Sequence, residues 1–347
     1  MKLTKILFTL FFATNIFIAN SQLKVVKIEH GAKLPKEYVT YFLPRTSLWA
    51  DVKTKTTISQ PGRFANYAKR LLAIDKVITQ KTERQTIESI SLREIMVPDS
   101  SKYYAVEVNT RSVAYRISKN TNGIIQAINQ NIPESHDTKE DTITTPINSI
   151  EFDYSFLSED ALKASTELKM AEITAQQILD IRNTRMDILT GDSEQEYDGE
   201  AMKLVLARLD EAEKRLTEFF SGKSIEIVQH KMVQIPLNAS TNEDVLFRFS
   251  EQMGVLDKND YTGSPIMFSV DAQFVYPLQA EKGNKGGIYY NNPGKATISI
   301  SDMDKIWTKQ TIIVPQFGYQ KALPTNIFSR QTTTVIFNRY GGTESIK

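Results

Sequence analysis

The sequence predicts an α+β fold, with two β-rich domains of antiparallel sheets and a long antiparallel helical hairpin between them. Three observations carry that prediction. Segments toward both ends alternate apolar and polar residues with the period of two that a half-buried strand requires. Residues 158–222 instead place apolar side chains at spacings of three and four, the period of a helix. Composition is that of a globular chain, with 42 Lys+Arg against 41 Asp+Glu and 41% hydrophobic residues. With domains of roughly 100–200 residues, 347 residues make two domains the simplest division.

Element by element, residues 1–21 read as a secretory leader. Lys2 and Lys5 are its positive region, Ile6 to Ile18 its apolar run, and Ala19-Asn20-Ser21 a small-residue cleavage signal before Gln22. The run is short of the about 20 apolar residues that cross a bilayer, so no membrane span is expected after cleavage. A β-rich domain follows over 22–150. Its strands are expected at Leu23 to Ile28, Tyr38 to Leu43, Leu48 to Ile58, Thr86 to Val97, Lys102 to Val108, Val113 to Ser118 and Ile124 to Ile128, rich in β-branched and aromatic residues. Phe64, Tyr67, Ala68, Leu71 and Leu72 form one apolar helical stripe after Pro61-Gly62, expected to cover a sheet face. Residues 129–148 lack periodicity and read as a linker or a mobile loop.

The hairpin is expected over 151–222. Ser158-Glu159-Asp160-Ala161 resembles a helix start, and no Gly or Pro interrupts the run to Leu189. A continuous first arm would reach about 40 Å or more at 1.5 Å per residue. Gly191 and Gly222 stand where left-handed caps close helices. A second β-rich domain over 223–347 is expected to hold strands at Ile225 to Val233, Val245 to Phe249, Ile266 to Leu278, Ala296 to Ile300, Ile306 to Val314 and Thr332 to Phe337.

Composition also excludes chemistry. A net charge of +1 offers no clustered field for nucleic acid. Absent cysteine removes disulfides, thiolate metal sites and cysteine nucleophiles. His30, His136 and His230 lie far apart in sequence, no serine occupies a Gly-x-Ser-x-Gly elbow, and Gly283-Asn284-Lys285-Gly286-Gly287 lacks the Ser/Thr and helix of a phosphate loop. It reads as a hairpin loop. No catalytic residue and no cofactor are assigned.

Four features remain as candidates. Asp192, Glu194, Glu196 and Asp198 alternate as carboxylates in a calcium loop do, although the glycine needed at the sixth position is Tyr197. Arg182 and Arg185 interrupt the first apolar stripe; they either bind an anion or partner, or pair with Glu200, Asp210 or Glu213 across the hairpin. Tyr289-Tyr290 and Tyr103-Tyr104 suggest sugar stacking, with one ring of each pair expected in the core and the other exposed.

Several phrases in fixed order resemble those of an exported Bacteroidetes family known only as domain of unknown function 4831. They are Tyr41-Phe42-Leu43-Pro44-Arg45-Thr46, the run from Pro61 to Ala68 with Arg70, and Val97-Pro98-Asp99. Then come Ile181-Arg182-Asn183-Thr184-Arg185, Leu189-Thr190-Gly191-Asp192, Asp198-Gly199-Glu200-Ala201-Met202-Lys203, Leu209-Asp210 and Phe220-Ser221-Gly222. The end contributes Gly287-Ile288-Tyr289-Tyr290, Pro293-Gly294-Lys295-Ala296, Pro315-Gln316-Phe317-Gly318 and Leu323-Pro324. The proline that usually follows the acidic residue after Gly191 is missing.

The resemblance implies an envelope protein of a Gram-negative bacterium, periplasmic or associated with the outer membrane, and carries no activity, ligand or catalytic residue. The expected function is a non-catalytic binding or structural component whose partner is a protein or an envelope glycan. The alternative is an enzyme acting on polymers, such as a glycan hydrolase with two carboxylates about 5–10 Å apart.

Overall fold

The computed structural model describes residues 25–107, 116–133, 150–192, 198–277, 287–323 and 333–347. The expected leader, most of the expected linker with His136, the carboxylates Glu194 and Glu196, and residues 283–286 of the glycine-rich loop lie outside them.

In chain order the described elements are β1 (Val25–Lys27), β2 (Tyr38–Gln60), α1 (Ala68–Leu72), β3 (Thr82–Glu107), β4 (Ile117–Lys119), β5 (Ile125–Ile128), α2 (Glu159–Leu162), α3 (Glu167–Thr190) and α4 (Gly199–Ser221). They continue with β6 (Lys223–Ile235), β7 (Thr241–Ser250), β8 (Gly254–Leu256), β9 (Ser264–Gln273), β10 (Tyr289–Ser301), β11 (Ile306–Ala322), β12 (Val335–Phe337) and β13 (Thr343–Ile346). The protein is β-rich, and its strand ladders are antiparallel. Among the described residues three sheets run β1-β3-β2-β6, β11-β10-β9-β7-β8 and β13-β12-β5-β4.

Two strands form a spine. β2 has 23 residues and β3 has 26, so at about 3.3 Å per residue each reaches on the order of 75–85 Å. The sequence suggests two shorter strands in each case, separated around Pro44 and Pro98. Those prolines instead lie opposite each other, Pro44 against Pro98, at a bulge that the ladder crosses.

Each stretch of the spine has its own core. In the middle, Leu48, Ala50 and Val52 of β2 pack with Ile90 and Ile235 against Phe268, Val270, Ala296, Ile298, Ile300, Ile312 and Val314 of the second sheet. This is a sandwich of two inner faces. At one end Tyr41, Leu43, Tyr104 and Val106 pack with Ile125, Ile128, Val335 and Phe337 of the third sheet. The remaining core is helical: Phe64, Ala68 and Leu72 meet Ala161, Met170, Ala171, Ala175, Ile178, Leu216, Phe219 and Phe220. The stripe in α1 therefore covers helices, where a sheet face was expected. Gly62 explains the close approach, because a Cβ there would collide with the Phe219 carbonyl, which accepts from Phe64 N at 2.7 Å.

The expected boundary near residue 222 does not separate the sheets. β6 pairs along β2 from Leu48↔Ile235 to Gln60↔Lys223, and β12 pairs with β5 through Val335↔Ile128. Alternation along a strand states which face is buried and leaves its neighbour unnamed.

Two helices of 24 and 23 residues, α3 and α4, run antiparallel. The first arm is shorter than the unbroken run to Leu189 suggested, about 36 Å at 1.5 Å per residue. Two caps fall within that run. Ser158 Oγ accepts from Ala161 N at the start of α2, and Thr166 Oγ1 accepts from Lys169 N at the start of α3. Gly191 closes α3 in the left-handed conformation at φ 82°. Gly222 also has positive φ, 87°, but with ψ 174° it leaves the helix extended and leads straight into β6.

Candidate functional site

The bulge at Pro44 and Pro98 brings together three buried polar residues, Thr46, Asp99 and Asn291. Register runs from Phe42↔Tyr103 to Pro44↔Pro98, so Leu43 alone faces the segment Asp99 to Lys102. Neither proline has an N–H to give the ladder, which is why the pairing opens here. Within the freed segment Asp99 is buried, whereas Ser100 and Ser101 are exposed. Asp99 Oδ1 accepts from Ser101 N at 3.0 Å and Ser101 Oγ at 2.7 Å.

Lys102 Nζ stands 3.7 Å from Asp99 Oδ2 and donates to Asn291 Oδ1 at 3.3 Å. The Asn291 amide nitrogen donates to the carbonyls of Pro44 and Tyr340, each at 3.0 Å. Asn291 is 1% exposed and Asp99 6%. One amide thus ties β2, β3, β10 and the turn before β13 together. Burial pushes the Lys102 ammonium below the ordinary lysine range, against the pull of the neighbouring Asp99 carboxylate.

Two further ties flank it. Gln316 of β11 accepts from Thr46 N at 3.0 Å and donates to Thr46 O at 2.9 Å, so its side-chain amide substitutes for a neighbouring strand. On the other flank, Tyr41, Tyr104 and Tyr289 stack with centroids 5.4 and 4.9 Å apart. Tyr41 OH accepts from Tyr289 N at 2.9 Å, and Tyr104 OH donates to Gln320 at 2.6 Å. Burial drives both Tyr41 and Tyr104 well above the usual phenol range. Gly318 permits the strand contact beneath: a Cβ there would collide with Asn292 O.

A cavity of about 450 Å³ adjoins this assembly, lined by Arg45, Ser47, Asp99, Gln234, Asn238 and the flank of Phe317. Among the described residues Asp99 is its single carboxylate. Another cavity, of about 460 Å³, is lined by Glu243, Asp302, Asp304 and Lys305 among others. There Asp302 accepts from the N–H groups of Asp304 and Lys305 at 2.8 Å and from Trp307 Nε1 at 2.7 Å. Burial alone would raise its pKa; those donors hold it below the usual carboxylate value instead.

The residues singled out by sequence fall in three places. Tyr289 belongs to the junction, and Tyr290 is partly buried against the same core, so neither is the exposed partner expected of the pair. Tyr103 is likewise half-buried, stacked on Phe42 at 4.0 Å. Arg182 reaches Glu213 at 2.6 Å, while Arg185 reaches Asp210 and Glu213 at 2.7 Å each. Glu200 pairs with Lys203 instead.

Asp198 caps α4 by accepting from Ala201 N at 2.8 Å, and Asp192 accepts from Thr190 Oγ1 at 3.0 Å. Glu194 and Glu196 lie outside the described residues. Among the described residues no three His, Asp or Glu side chains gather as a metal site. His230 bonds Asp51 at 2.9 Å.

Sequence reasoning missed Asp99, Lys102, Asn291 and Gln316 as one assembly. The readable signal was two prolines interrupting two otherwise regular strands. Among the described residues no helix is long and apolar enough to cross a membrane.

Four of the phrases quoted for the family resemblance border this junction, Tyr41 to Thr46, Val97 to Asp99, Gly287 to Tyr290 and Pro315 to Gly318, while others lie in the helical region. Searches of curated proteins and of solved structures return no match. A family model described as domain of unknown function (DUF4831) matches residues 37–345, from the start of the spine nearly to the last strand. The chain belongs to that family.

Proposed function

We propose that the protein is an exported, non-catalytic structural or binding component of the periplasm or outer-membrane surface. One observation carries this reading. The polar side chains at the junction are spent on joining sheets: Gln316 on both backbone groups of Thr46, and Asn291 on the carbonyls of Pro44 and Tyr340. Such a joint suits a rigid elongated body better than a reaction centre, whose groups must be free to meet a substrate. The helical pair then serves as an arm or spacer, with Arg182 and Arg185 setting its register. Its partner is an envelope protein or glycan.

Affinity capture of the tagged mature protein from its native envelope tests the reading. Recovery of a defined set of envelope components is expected, together with no turnover in a metabolite and polymer screen. Specific turnover would overturn it.

A second reading, a polymer-acting hydrolase, draws support from the cavity lined by Glu243, Asp302 and Asp304. A glycosidase needs one protonated and one ionised carboxyl about 5–10 Å apart. Asp302 is committed to its turn, which leaves Glu243 and Asp304. Loss of polymer cleavage in Glu243→Gln and Asp304→Asn would favour this reading; absence of cleavage in the wild type removes it.

A further inference from the structure

The Lys102–Asn291–Asp99 cluster has the composition and geometry of a self-forming amide cross-link. A lysine amine faces a side-chain carboxamide across 3.3 Å, with a carboxylate 3.7 Å from the same nitrogen. Because a C=O bond is about 1.23 Å long, Asn291 Cγ lies within roughly 4.5 Å of Nζ. The partners are fixed before they react. Asn291 is held by Pro44 O and Tyr340 O, and Asp99 by Ser101. Water has little access, since the Lys102 and Asp99 side chains are 12% and 9% exposed and Asn291 is 1% exposed.

We propose that Lys102 Nζ and Asn291 Cγ become joined by an isopeptide bond, with Asp99 as the proton carrier. Asp99 first takes a proton from the Lys102 ammonium, leaving a neutral amine beside a neutral acid. The amine lone pair attacks Asn291 Cγ and an N–C bond forms. As the Cγ–Nδ2 bond breaks, the proton shed by Nζ passes to the departing nitrogen. Ammonia leaves, carries one further proton away as ammonium once Asp99 is again a carboxylate, and no oxidant or reductant is required.

Burial favours this chemistry because it disfavours the charged lysine, the condition that makes a lysine nucleophilic. The product also removes a buried ammonium, which is costly to keep. A chain without cysteine has no disulfide with which to tie its sheets. The link would close a loop of 189 residues between β3 and β10, restricting the unfolded chain as a disulfide does.

Mass spectrometry of the purified mature protein decides the matter. The intact chain is expected to be lighter than its sequence by one ammonia, and a digest to yield one branched peptide joining the Lys102 and Asn291 segments, with no cleavage after Lys102. The branched peptide is the essential readout, since cyclisation of an N-terminal Gln22 also releases ammonia. Asn291→Asp is expected to form the same product by losing water, so its linked mass equals that of the linked wild type. Asp99→Ala is expected to give two separate peptides while circular dichroism stays native. Separate, unlinked Lys102 and Asn291 peptides from the wild type would overturn the proposal, whatever the variants do. A linked Asp99→Ala protein would overturn the role of Asp99.

Discussion

The junction and the helical pair both place charged and amide groups where two elements must be held in register, yet they do so in opposite surroundings. At the junction Asn291 and Asp99 are almost wholly buried, and each hydrogen bond replaces one that water can no longer supply. Along the helices Arg182 and Arg185 are about a third exposed, and Asp210 is mostly so. Water competes for those ions. The same kinds of contact are therefore expected to have very different effects on stability, because leaving a buried polar group unpaired costs its full desolvation, whereas an exposed ion pair contributes little.

The sharpest test of that contrast is Asn291→Ala. In the unlinked chain it leaves two buried carbonyls and the Lys102 ammonium without their partner, and in a linked chain it removes the cross-link itself, at an expected cost of about 3–5 kcal/mol in urea unfolding. A loss comparable to that of an exposed pair would erase the distinction. Alkaline titration comes next. Tyr41 and Tyr104 have folded pKa values raised above the ordinary phenol value of about 10. The stability they contribute is complete below that value, falls as the unfolded chain ionises above it, and is lost as pH rises through the raised folded values. Tyrosinate absorbance should therefore lag until the protein unfolds, and Tyr41→Phe should reduce the pH dependence. Early ionisation of these rings in a folded protein would contradict their burial.

What the sequence made legible follows the reach of each signal. Alternation identified Leu48, Ala50, Val52 and Ile58 as one face of a strand, and that face is buried. Helical spacing identified Phe64, Ala68 and Leu72, and the glycine after Thr190 identified the end of α3. These are local properties of the chain. The pairing of β6 with β2, and of β12 with β5, depends on register between segments more than a hundred residues apart, which no local period encodes. The site suffered from the same limit. Asp99 and Lys102 sit inside one bulge, but Asn291 is 189 residues beyond Lys102, and Gln316 is 270 from Thr46. Strands are expected to end at Leu43 and at Val97, just before Pro44 and Pro98; that the two prolines face each other and share a single bulge is visible only in the paired ladder.

Smaller effects are expected in the helices. Thr166→Ala removes the side chain that accepts from Lys169 N and should lower stability by about 1 kcal/mol in thermal unfolding. Its effect should stay local, loosening the first turn of α3 while β-sheet signals are unchanged; a loss several times larger would mean that the break between α2 and α3 also supports the helical core.

Arg185→Ala should have the smallest effect, about 0.5–1 kcal/mol, because Arg185 contacts Asp210 and Glu213 from a partly solvated position. Removing it leaves Glu213 paired with Arg182, so the register of the two helices persists. The effect should also shrink in salt, since the Debye length falls from about 10 Å at 0.1 M to about 3 Å at 1 M. A double-mutant cycle of Arg185→Ala with Asp210→Ala measures the pair directly. A coupling that is large and indifferent to salt would place this pair with the junction, and exposure would then fail to explain why the two regions differ.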